Sequence, residues 1–219
     1  MIHELKEIIK QAVINQQKGL KNVLATVVFL EGSSYRKPGV RMLISEDLSS
    51  VGAVSGGCVE KEIIHRATTV FRDNKPKVIT YDGRYKLGCE GILYVLIEPF
   101  FVTAQFISAF SKANSKRESL QLTSYFKKEN EVFGEFGTSV TFENRQQFAF
   151  TETVITKSDV AVYNQVLQPA FKLIIIGGEH DAVKLCKIAA TLGWEVEIIT
   201  STKDSKQLTD FPGANKVIS

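Results

Sequence analysis

A short apolar run, a turn of small residues and the start of a charged helical pattern follow one another between Val51 and Glu62. This order predicts a strand, a tight turn and a helix. Gly56 and Gly57 are adjacent in the turn, and such a pair allows positive φ angles and a close approach of the backbone to a ligand. The helix would aim its free N–H groups and the positive end of its dipole at that ligand. The stretch predicts an anion site, although a purely structural turn would use the same residues.

Cys58 lies at the predicted start of this helix. The helix dipole stabilises a thiolate at such a position, so a cysteine there is a better metal ligand or sulfur carrier than a cysteine in the core. The alternative is that Cys58 packs as a small hydrophobic side chain. The turn and its thiol are the first candidate for a functional site.

The composition argues against several classes of protein. The chain has 219 residues, of which 44% are hydrophobic and 23% charged, as is typical of a soluble protein. Its net charge of +3 is spread along the chain without a basic stripe, which argues against nucleic acid as a partner. No apolar run approaches the roughly 20 residues of a membrane span, and charges interrupt the N-terminal segment where a secretory signal would be apolar. We therefore expect a cytoplasmic protein that does not enter a membrane.

The first hundred residues predict a helix followed by a β-sheet. Helical spacing of apolar residues covers 2–18, and the continuous run Val23–Leu30 predicts a strand buried on both faces. After a loop come a strand over 40–44, a hairpin turn over 46–50 and a third strand over 51–54. Because the hairpin folds the third strand back along the second, the loop before the hairpin and the turn after it should lie near one another at one edge of the sheet.

The loop before the hairpin is rich in hydroxyl and cationic side chains. Arginine pairs with phosphate through two parallel hydrogen bonds, so a cluster of such residues near a helix start favours an anion site. Taken singly, each cation is better explained as a solvated surface charge, and only the clustering favours a site. The residues that we expect around the start of the helix are Ser33, Ser34, Arg36, Lys37 and Arg41.

After the turn, the sequence predicts a helix over 59–72 and a strand over 78–81. A second loop with glycine and cysteine follows over 82–91, and it leads into a strand over 92–97. It contains Cys89, which lies 31 positions after Cys58 (89 − 58). Neither cysteine belongs to a C-x-x-C pair, and His65 has no second ligand at metal-binding spacing, so the pattern argues against a zinc site. Two thiols from separate loops that face one ligand are still compatible with the sequence. With no export signal, we expect these thiols to be reduced.

Three motifs in the first hundred residues resemble those of a known family. Gly32–Met42 has the pattern G-S-S-x-R-x-P-G-x-R-M, and Ser55–Glu60 reads S-G-G-C-V-E. These stretches resemble the paired signature of the XdhC/CoxI family, which are maturation factors of xanthine and carbon monoxide dehydrogenases. Leu87–Gly91 resembles the L-G-C-G-G element of that family with Glu90 in the fourth position, and Leu96–Pro99 resembles its L-x-E-P ending.

The resemblance implies a chaperone that binds the molybdenum cofactor, an anionic molybdopterin with a phosphate and a dithiolene-held metal. Such a protein protects the cofactor and assists its sulfuration and its insertion into a xanthine dehydrogenase type molybdoenzyme, with a cysteine desulfurase as a further partner. Catalysis is not required for this role. Glu60 would either bond a pterin ring nitrogen or favour the helix start through the dipole. The cofactor-binding residues that the resemblance implies are Ser33, Ser34, Arg36, Arg41, Ser55, Gly56, Gly57, Cys58, Glu60 and Cys89.

The second half of the chain carries fewer signals of function. Residues 101–168 predict a helix over 101–113 and a β-meander with strands over 120–126, 131–136, 139–142 and 147–154. We expect this segment to connect or brace the domains on either side of it.

The segment from Phe171 to Thr200 predicts a β-turn-α-β unit of Rossmann type and resembles the C-terminal domain of the same family. Its turn departs from the dinucleotide pattern at Glu179, whose negative charge would face a pyrophosphate. The second strand ends in Thr200 and Ser201, without the acidic residue that holds an adenosine ribose. NAD(P) binding is therefore disfavoured, and Cys186 is expected in the core.

The predicted fold class is α/β. We expect a mixed α/β domain for cofactor handling over 1–100, a connecting helix and meander over 101–168, and a Rossmann-like unit over 169–219 that looks incomplete at its C-terminus. The alternatives to a cofactor chaperone are an NAD(P)-dependent oxidoreductase, a sulfurtransferase with a persulfide on Cys58, and a docking adaptor. A homodimer is expected from the frequency of such assemblies.

Overall fold

The computed structural model describes residues 2–84, 91–152, 155, 158–203 and 206–219, apart from the side chain of Cys58. The chain divides into two compact units, His3–Gln168 and Pro169–Ser219. Residues 1–100 and 101–168, which we expected to form separate regions, therefore lie almost entirely in one unit. None of the helices in the described ranges has the length and apolarity to cross a membrane.

The first unit contains three helices and ten strands among its described residues. In chain order they are α1 (Ile2–Gln17), β1 (Asn22–Glu31), β2 (Arg41–Ser45), β3 (Ser50–Gly52), α2 (Cys58–Asp73), β4 (Lys77–Asp82), β5 (Ile92–Pro99), α3 (Ala104–Ser115), β6 (Leu120–Phe126), β7 (Val132–Phe133), β8 (Gly137–Phe142), β9 (Gln147–Ala149) and β10 (Ala161–Leu167). The central sheet is antiparallel and has the order β3-β2-β1-β5-β4-β7.

The helix α2 covers one face of the central sheet. Alternate residues of β1 and β2, among them Val23, Ala25 and Met42, pack against Val59 and Ile63 of the helix. The apolar spacing of α2 explains this, because its core-facing side chains recur every three or four residues. β1 is buried over most of its length on both faces, as the continuous apolar run predicts.

A second sheet, in the order β10-β6-β8-β9, covers the opposite face of the central sheet. Val28 and Leu96 of the central sheet pack there against Phe126 and Phe136. The strands β6, β8, β9 and β10 of the segment 101–168 thus form a second layer of the first unit. The strand predicted over 131–136 shortens to β7 and pairs with β4 of the central sheet instead.

The strand β10 was missed by the sequence analysis. Its exposed positions are Val162, Asn164 and Val166, and they alternate with the more buried Ala161, Tyr163, Gln165 and Leu167. Apolar residues occur on both sides of the strand, so the alternation of apolar inward and polar outward residues is weak here.

The second unit is a parallel three-stranded sheet with one helix. It consists of β11 (Lys172–Ile176), α4 (His180–Thr191), β12 (Glu195–Ile199), a short 3-10 helix (Leu208–Asp210) and β13 (Lys216–Ile218), with the strand order β11-β12-β13. Ile175, Cys186, Val196 and Phe211 form its core. The predicted Rossmann-like β-turn-α-β unit and the core position of Cys186 are confirmed, whereas β13 was not predicted. The α/β fold class is confirmed for the chain.

Two buried asparagines connect α1 to the start of β1. The Asn15 side chain donates to Asn22 Oδ1 over 2.7 Å, and the Asn22 side chain donates to the Ala12 carbonyl over 3.2 Å. We expect Asn22→Ala to lower the free energy of unfolding by about 2 kcal/mol, because it leaves the buried amide donor of Asn15 unpaired. Urea denaturation measures this change. Thr68→Ala, at an exposed position of α2, is the control and should change it by less than about 0.5 kcal/mol; equal effects of the two variants would contradict the prediction.

Candidate functional site

Three loops that carry the sequence motifs leave the same end of the central sheet. Glu31 at the end of β1 and Asp82 at the end of β4 both lie opposite Ile92 at the start of β5. Gly52 at the end of β3 lies opposite Met42, near the start of β2. The loops 32–40 and 53–57 therefore lie at this end, as the predicted hairpin implies. Residues 83, 84 and 91, which flank the third motif, lie there too.

The loop 32–40 holds two buried polar atoms without a hydrogen-bond partner among the described residues. They are Ser34 Oγ and Arg36 Nε. The C-terminal end of the loop is held in place, since Gly39 donates its N–H to the Val27 carbonyl over 2.8 Å. A buried donor that lacks a partner lowers stability unless a ligand or water satisfies it. This loop is therefore suited to receive hydrogen-bond acceptors from a ligand.

Gly91 joins the loop 83–91 to the loop 32–40. A Cβ atom on Gly91 would lie only 2.6 Å from the carbonyl oxygen of Ser33 and 2.7 Å from that of Glu31. The two backbones can approach this closely only because Gly91 has no side chain. Ser33 is exposed beside this contact. Residues 85–90, and with them Cys89, lie outside the described residues, so the predicted pairing of Cys58 with Cys89 stays a prediction.

The turn before α2 is held by Glu60. The backbone N–H of Ser55 donates to Glu60 Oε1 over 2.7 Å, so the carboxylate reaches back across the turn and stabilises it. The other oxygen, Oε2, is buried without a hydrogen-bond partner among the described residues. This hydrogen bond explains the role of Glu60 at the turn more directly than an interaction with the helix dipole does. The second oxygen is available as an acceptor for a ligand N–H group.

Gly56 and Gly57 expose bare backbone at the start of α2. Gly57 is the N-cap residue with φ 68°, and no side chain caps the helix there. A Cβ atom on either glycine would meet nothing within 4 Å. The first N–H groups of a helix without a side-chain cap can bind an anion. Cys58 is the first residue of the helix, and its side chain lies outside the described part of the chain.

Arg41 does not belong to this group of residues, contrary to the sequence prediction. Its neighbour Met42 packs toward α2, so the Arg41 side chain lies on the opposite face of the sheet. There its Nη1 donates to the Gly39 carbonyl over 2.8 Å and to Gln165 Oε1 of β10 over 2.7 Å. Arg41 is 8% exposed, and burial lowers its pKa to about 10. It fixes the loop 32–40 to the second sheet and does not reach the start of α2.

Glu98 of the L-x-E-P motif lies between the two sheets and is completely buried. Its carboxylate oxygens contact the backbone N–H and the hydroxyl of Thr138 over 2.8 and 2.7 Å. The Thr138 hydroxyl in turn lies 2.8 Å from that of Ser124. Burial raises the pKa of Glu98 to about 7, although the hydrogen bonds and the attraction of Arg41 act in the other direction. The motif residue therefore has a position in the core, which its sequence context did not predict.

One cavity of the first unit lies away from the motif loops. It has a volume of about 530 Å³ and opens at the other end of the central sheet, between the end of α2 and the end of β5. Its lining includes Val70, Phe71, Phe100 and Phe101. None of the predicted cofactor-binding residues lines it.

The turn of the Rossmann-like unit carries several charges. Glu179 is the N-cap residue of α4, and the Asp181 carboxylate accepts a hydrogen bond from the N–H of Ala182 over 2.9 Å. Lys206 donates to the Gly178 carbonyl and lies 3.6 Å from Glu179. Two carboxylates at the helix start oppose a pyrophosphate, and this adds to the sequence argument against NAD(P).

No group of three or more metal-binding side chains occurs among the described residues. The arrangement at the motif loops is instead one of hydroxyl, guanidinium, carboxylate and backbone groups. The hydroxyl, guanidinium and backbone N–H groups can donate hydrogen bonds to an anion, and the carboxylate can accept one from an N–H group.

A model of the XdhC and CoxI family matches residues 16–82. These residues contain both parts of the paired signature, including the loop 32–40 and the start of α2. This part of the chain is similar to the XdhC and CoxI family. The match ends at Asp82, so the third motif at 87–91 lies just beyond it.

A relative and a solved structure extend the comparison beyond residue 82. A protein of Bacillus subtilis (strain 168), described as a probable xanthine dehydrogenase subunit, is 27% identical over 215 residues, and the chain spans 64% of its length. That alignment covers 90% of this chain. The crystal structure of a protein described as a xanthine dehydrogenase from Bacillus halodurans has a TM-score of 0.73 at 22% identity, covering 96% of this chain and 67% of that one. The likeness to that structure shows a common fold.

Sequence reasoning missed several residues that shape the site. Gly91 was seen only as part of a glycine-bearing loop, and Tyr163 and Gln165, which meet the loop 32–40 at Gly39, lie in the unpredicted strand β10. The contact of Gly91 with the backbone of Ser33 had one signal in the sequence, namely that two loops with glycine follow strands of the same predicted sheet. For the β10 residues there was no signal.

Proposed function

We propose that the chain is a maturation factor that binds the molybdenum cofactor and delivers it to a xanthine dehydrogenase type molybdoenzyme. The observation that carries the proposal is a set of buried polar atoms that have no hydrogen-bond partner within the described part of the chain and that belong to two of the motifs at one end of the central sheet. Ser34 Oγ and Arg36 Nε belong to the first motif, and Glu60 Oε2 belongs to the second. The name of the Bacillus subtilis relative supports a xanthine dehydrogenase as the client.

The chemistry of these groups fits the cofactor. Ser34 and Arg36 would bind its phosphate together with the N–H groups at the start of α2. Glu60 Oε2 would accept a hydrogen bond from an N–H group of the pterin ring. Cys58 and Cys89 are soft sulfur donors of the kind that molybdenum or a transferred sulfur atom requires. The cofactor supplies the redox chemistry of the client enzyme, and this chain binds, orients and shields it.

Gly56 allows a test that separates ligand binding from folding. A methyl group at this position meets nothing within 4 Å, so Gly56→Ala should leave the stability nearly unchanged. We expect it to weaken binding of molybdopterin about tenfold or more, because the added carbon occupies the space of the bound cofactor. Arg36→Ala should have a comparable effect through loss of a charged contact.

A fluorescence titration of the purified protein with molybdopterin measures the dissociation constant. Lys37→Ala is the matched control. Lys37 is the exposed cation next to Arg36, so its removal should change the affinity less than about threefold. Absence of binding by the wild-type chain would reject the proposal. Unchanged affinity in both Gly56→Ala and Arg36→Ala would reject the site.

Assistance in sulfuration, with a cysteine desulfurase as partner, is the finer part of the proposal. It rests on Cys58 at the start of α2 and on Cys89, which stands two positions before Gly91 in the sequence. We expect Cys58→Ser to retain binding of the pterin while reducing activation of the client enzyme. Activation equal to that of the wild type in a Cys58→Ser, Cys89→Ser double variant would contradict this part alone.

A further inference from the structure

The cavity at the far end of the central sheet is formed entirely by the first unit. Its wall comes from the last turn of α1 and the residues after it, from the last turn of α2, from the end of β5 and from Glu152. A helix rises about 1.5 Å per residue, so the 16 residues of α2 separate this cavity from the candidate site by about 24 Å. Its volume of about 530 Å³ is in the usual range of pockets for small molecules.

The floor of the cavity is apolar and partly aromatic. Val23, Val70 and Phe100 line it and are buried. Phe71 is half-buried and Phe101 is exposed, and both also line it. Aromatic side chains pack favourably against another ring in offset or edge-to-face arrangements. The floor is therefore suited to an aromatic ring of a ligand.

Two polar side chains of the wall are engaged within the protein. The Gln16 amide donates to the Val102 carbonyl over 3.1 Å and accepts from the Val102 N–H over 2.9 Å. The Asn22 side chain is bonded to Asn15 and to the Ala12 carbonyl. These groups hold the wall in place. They would have to give up a hydrogen bond to contact a ligand.

Two opposite charges on the wall are available instead. Lys21 and Glu152 both line the cavity and are exposed, and their charged groups form no ion pair or side-chain hydrogen bond with the described residues. They therefore do not pair with each other, although they share one cavity. The backbone N–H of Lys21 donates to Glu46 over 3.2 Å, which holds the main chain and leaves the ammonium group free. An ammonium and a carboxylate that stay apart are complementary to a ligand that carries both charges.

We infer that this cavity binds a free α-amino acid with an aromatic side chain. The carboxylate of the amino acid pairs with Lys21, its ammonium group pairs with Glu152, and its ring packs against Val70, Phe100 and Phe101. A ligand with a single charge would use only one of the two groups. The inference is independent of cofactor binding at the motif loops, because none of the residues proposed for the cofactor lines this cavity.

Isothermal titration calorimetry of the full chain with three probes tests the inference. L-phenylalanine carries both charges, hydrocinnamate lacks the ammonium group and phenethylamine lacks the carboxylate. We expect a dissociation constant on the order of 0.1 to 1 mM for L-phenylalanine. The other two probes should bind about fivefold more weakly or worse, because each loses one charged contact.

Two substitutions assign the charges one by one. Glu152→Gln should weaken binding of L-phenylalanine about fivefold and leave that of hydrocinnamate unchanged, since hydrocinnamate has no ammonium group. Lys21→Met should weaken binding of L-phenylalanine to a similar extent and leave that of phenethylamine unchanged. Both positions are exposed, so the variants should fold, and circular dichroism verifies this.

Lys18→Met is the matched control, because Lys18 is an exposed cation of the same segment that is not part of the lining. It should change the affinity for L-phenylalanine less than about twofold. Gly56→Ala should bind L-phenylalanine like the wild type, which separates this cavity from the motif loops. Absence of binding of L-phenylalanine at millimolar concentration, or equal affinity for the three probes, would overturn the inference. Unchanged affinity for L-phenylalanine in both Glu152→Gln and Lys21→Met would do the same.

Discussion

Gly39→Ala is expected to lower the free energy of unfolding by about 3 to 4 kcal/mol, the largest loss among the substitutions proposed for this chain. Gly39 has φ +99°, and a Cβ atom there would lie 2.3 Å from Gln165 Nε2 and 2.6 Å from the Tyr163 hydroxyl. The side chain of Gln165 is flexible, but its Oε1 accepts a hydrogen bond from Arg41 Nη1. It can move away only by leaving a buried guanidinium with one partner fewer.

Two contributions make up the expected loss in the free energy of unfolding of Gly39→Ala. A residue other than glycine at this φ angle costs about 1 to 2 kcal/mol. Loss of the hydrogen bond between Gln165 and the buried Arg41 adds about 2 kcal/mol, because charged donors are affected most by the loss of a partner. The loop 32–40 would also shift away from β10, so binding of molybdopterin should weaken together with the stability.

Gly19→Ala is the matched control for Gly39→Ala. Gly19 has a similar positive φ of +75°, but a Cβ atom there would meet nothing within 4 Å. Its loss should therefore be limited to the conformational strain of about 1 to 2 kcal/mol. Urea denaturation of both variants measures the difference. Equal losses would show that the contact with Gln165 and Tyr163 contributes nothing, contrary to the prediction.

We expect Glu98 to contribute to the free energy of unfolding of the wild type in a way that depends on pH. This contribution should fall by about 3 kcal/mol as the pH rises from about 4.5 to about 7. Burial raises the pKa of this carboxyl from 4.5 to about 7 in the folded protein. Between these two values the folded chain holds a proton that the unfolded chain has released. The stabilising contribution of Glu98 is therefore complete below this window and decreases as the pH rises through it. Above the window this contribution does not change further.

The Glu98→Gln variant isolates this contribution from those of other titrating groups. Glutamine keeps a neutral hydrogen-bonding side chain beside Thr138, whose hydroxyl can donate to Ser124 while it accepts from the new amide. The difference in unfolding free energy between variant and wild type should change by about 3 kcal/mol between pH 4.5 and 7, with the variant gaining at high pH. Urea denaturation at a series of pH values measures it. A difference that is independent of pH would contradict the raised pKa of Glu98.

Much of the fold was predictable from local patterns. The spacing of apolar residues in α1 and α2 and the continuous run in β1 are contained in short stretches of sequence, and the observed elements follow them. The hairpin of β2 and β3 also explains why the loops on either side of it lie at the same end of the sheet. The positions of Gly56, Gly57 and Glu60 around the start of α2 follow from the same local order.

The position of Arg41 shows where such prediction ends. Alternation along β2 places Arg41 and Met42 on opposite faces, but it does not say which face α2 covers. That depends on β10, whose Gln165 is 124 residues away along the chain and binds the guanidinium. The burial of Glu98 against Thr138, and with it the raised pKa, depends on the same packing of two sheets.

The sequence by itself determined the helices, the main strands, the order of the motifs and the family resemblance, because these depend on neighbouring residues. Only the tertiary structure decided that Arg41 and Glu98 lie between the sheets, and that Gly91 lies against Ser33 near the start of the first motif loop. The physical reason is that such contacts join segments far apart in the chain. Their energies depend on how whole layers pack and leave no periodic trace in the residues on either side.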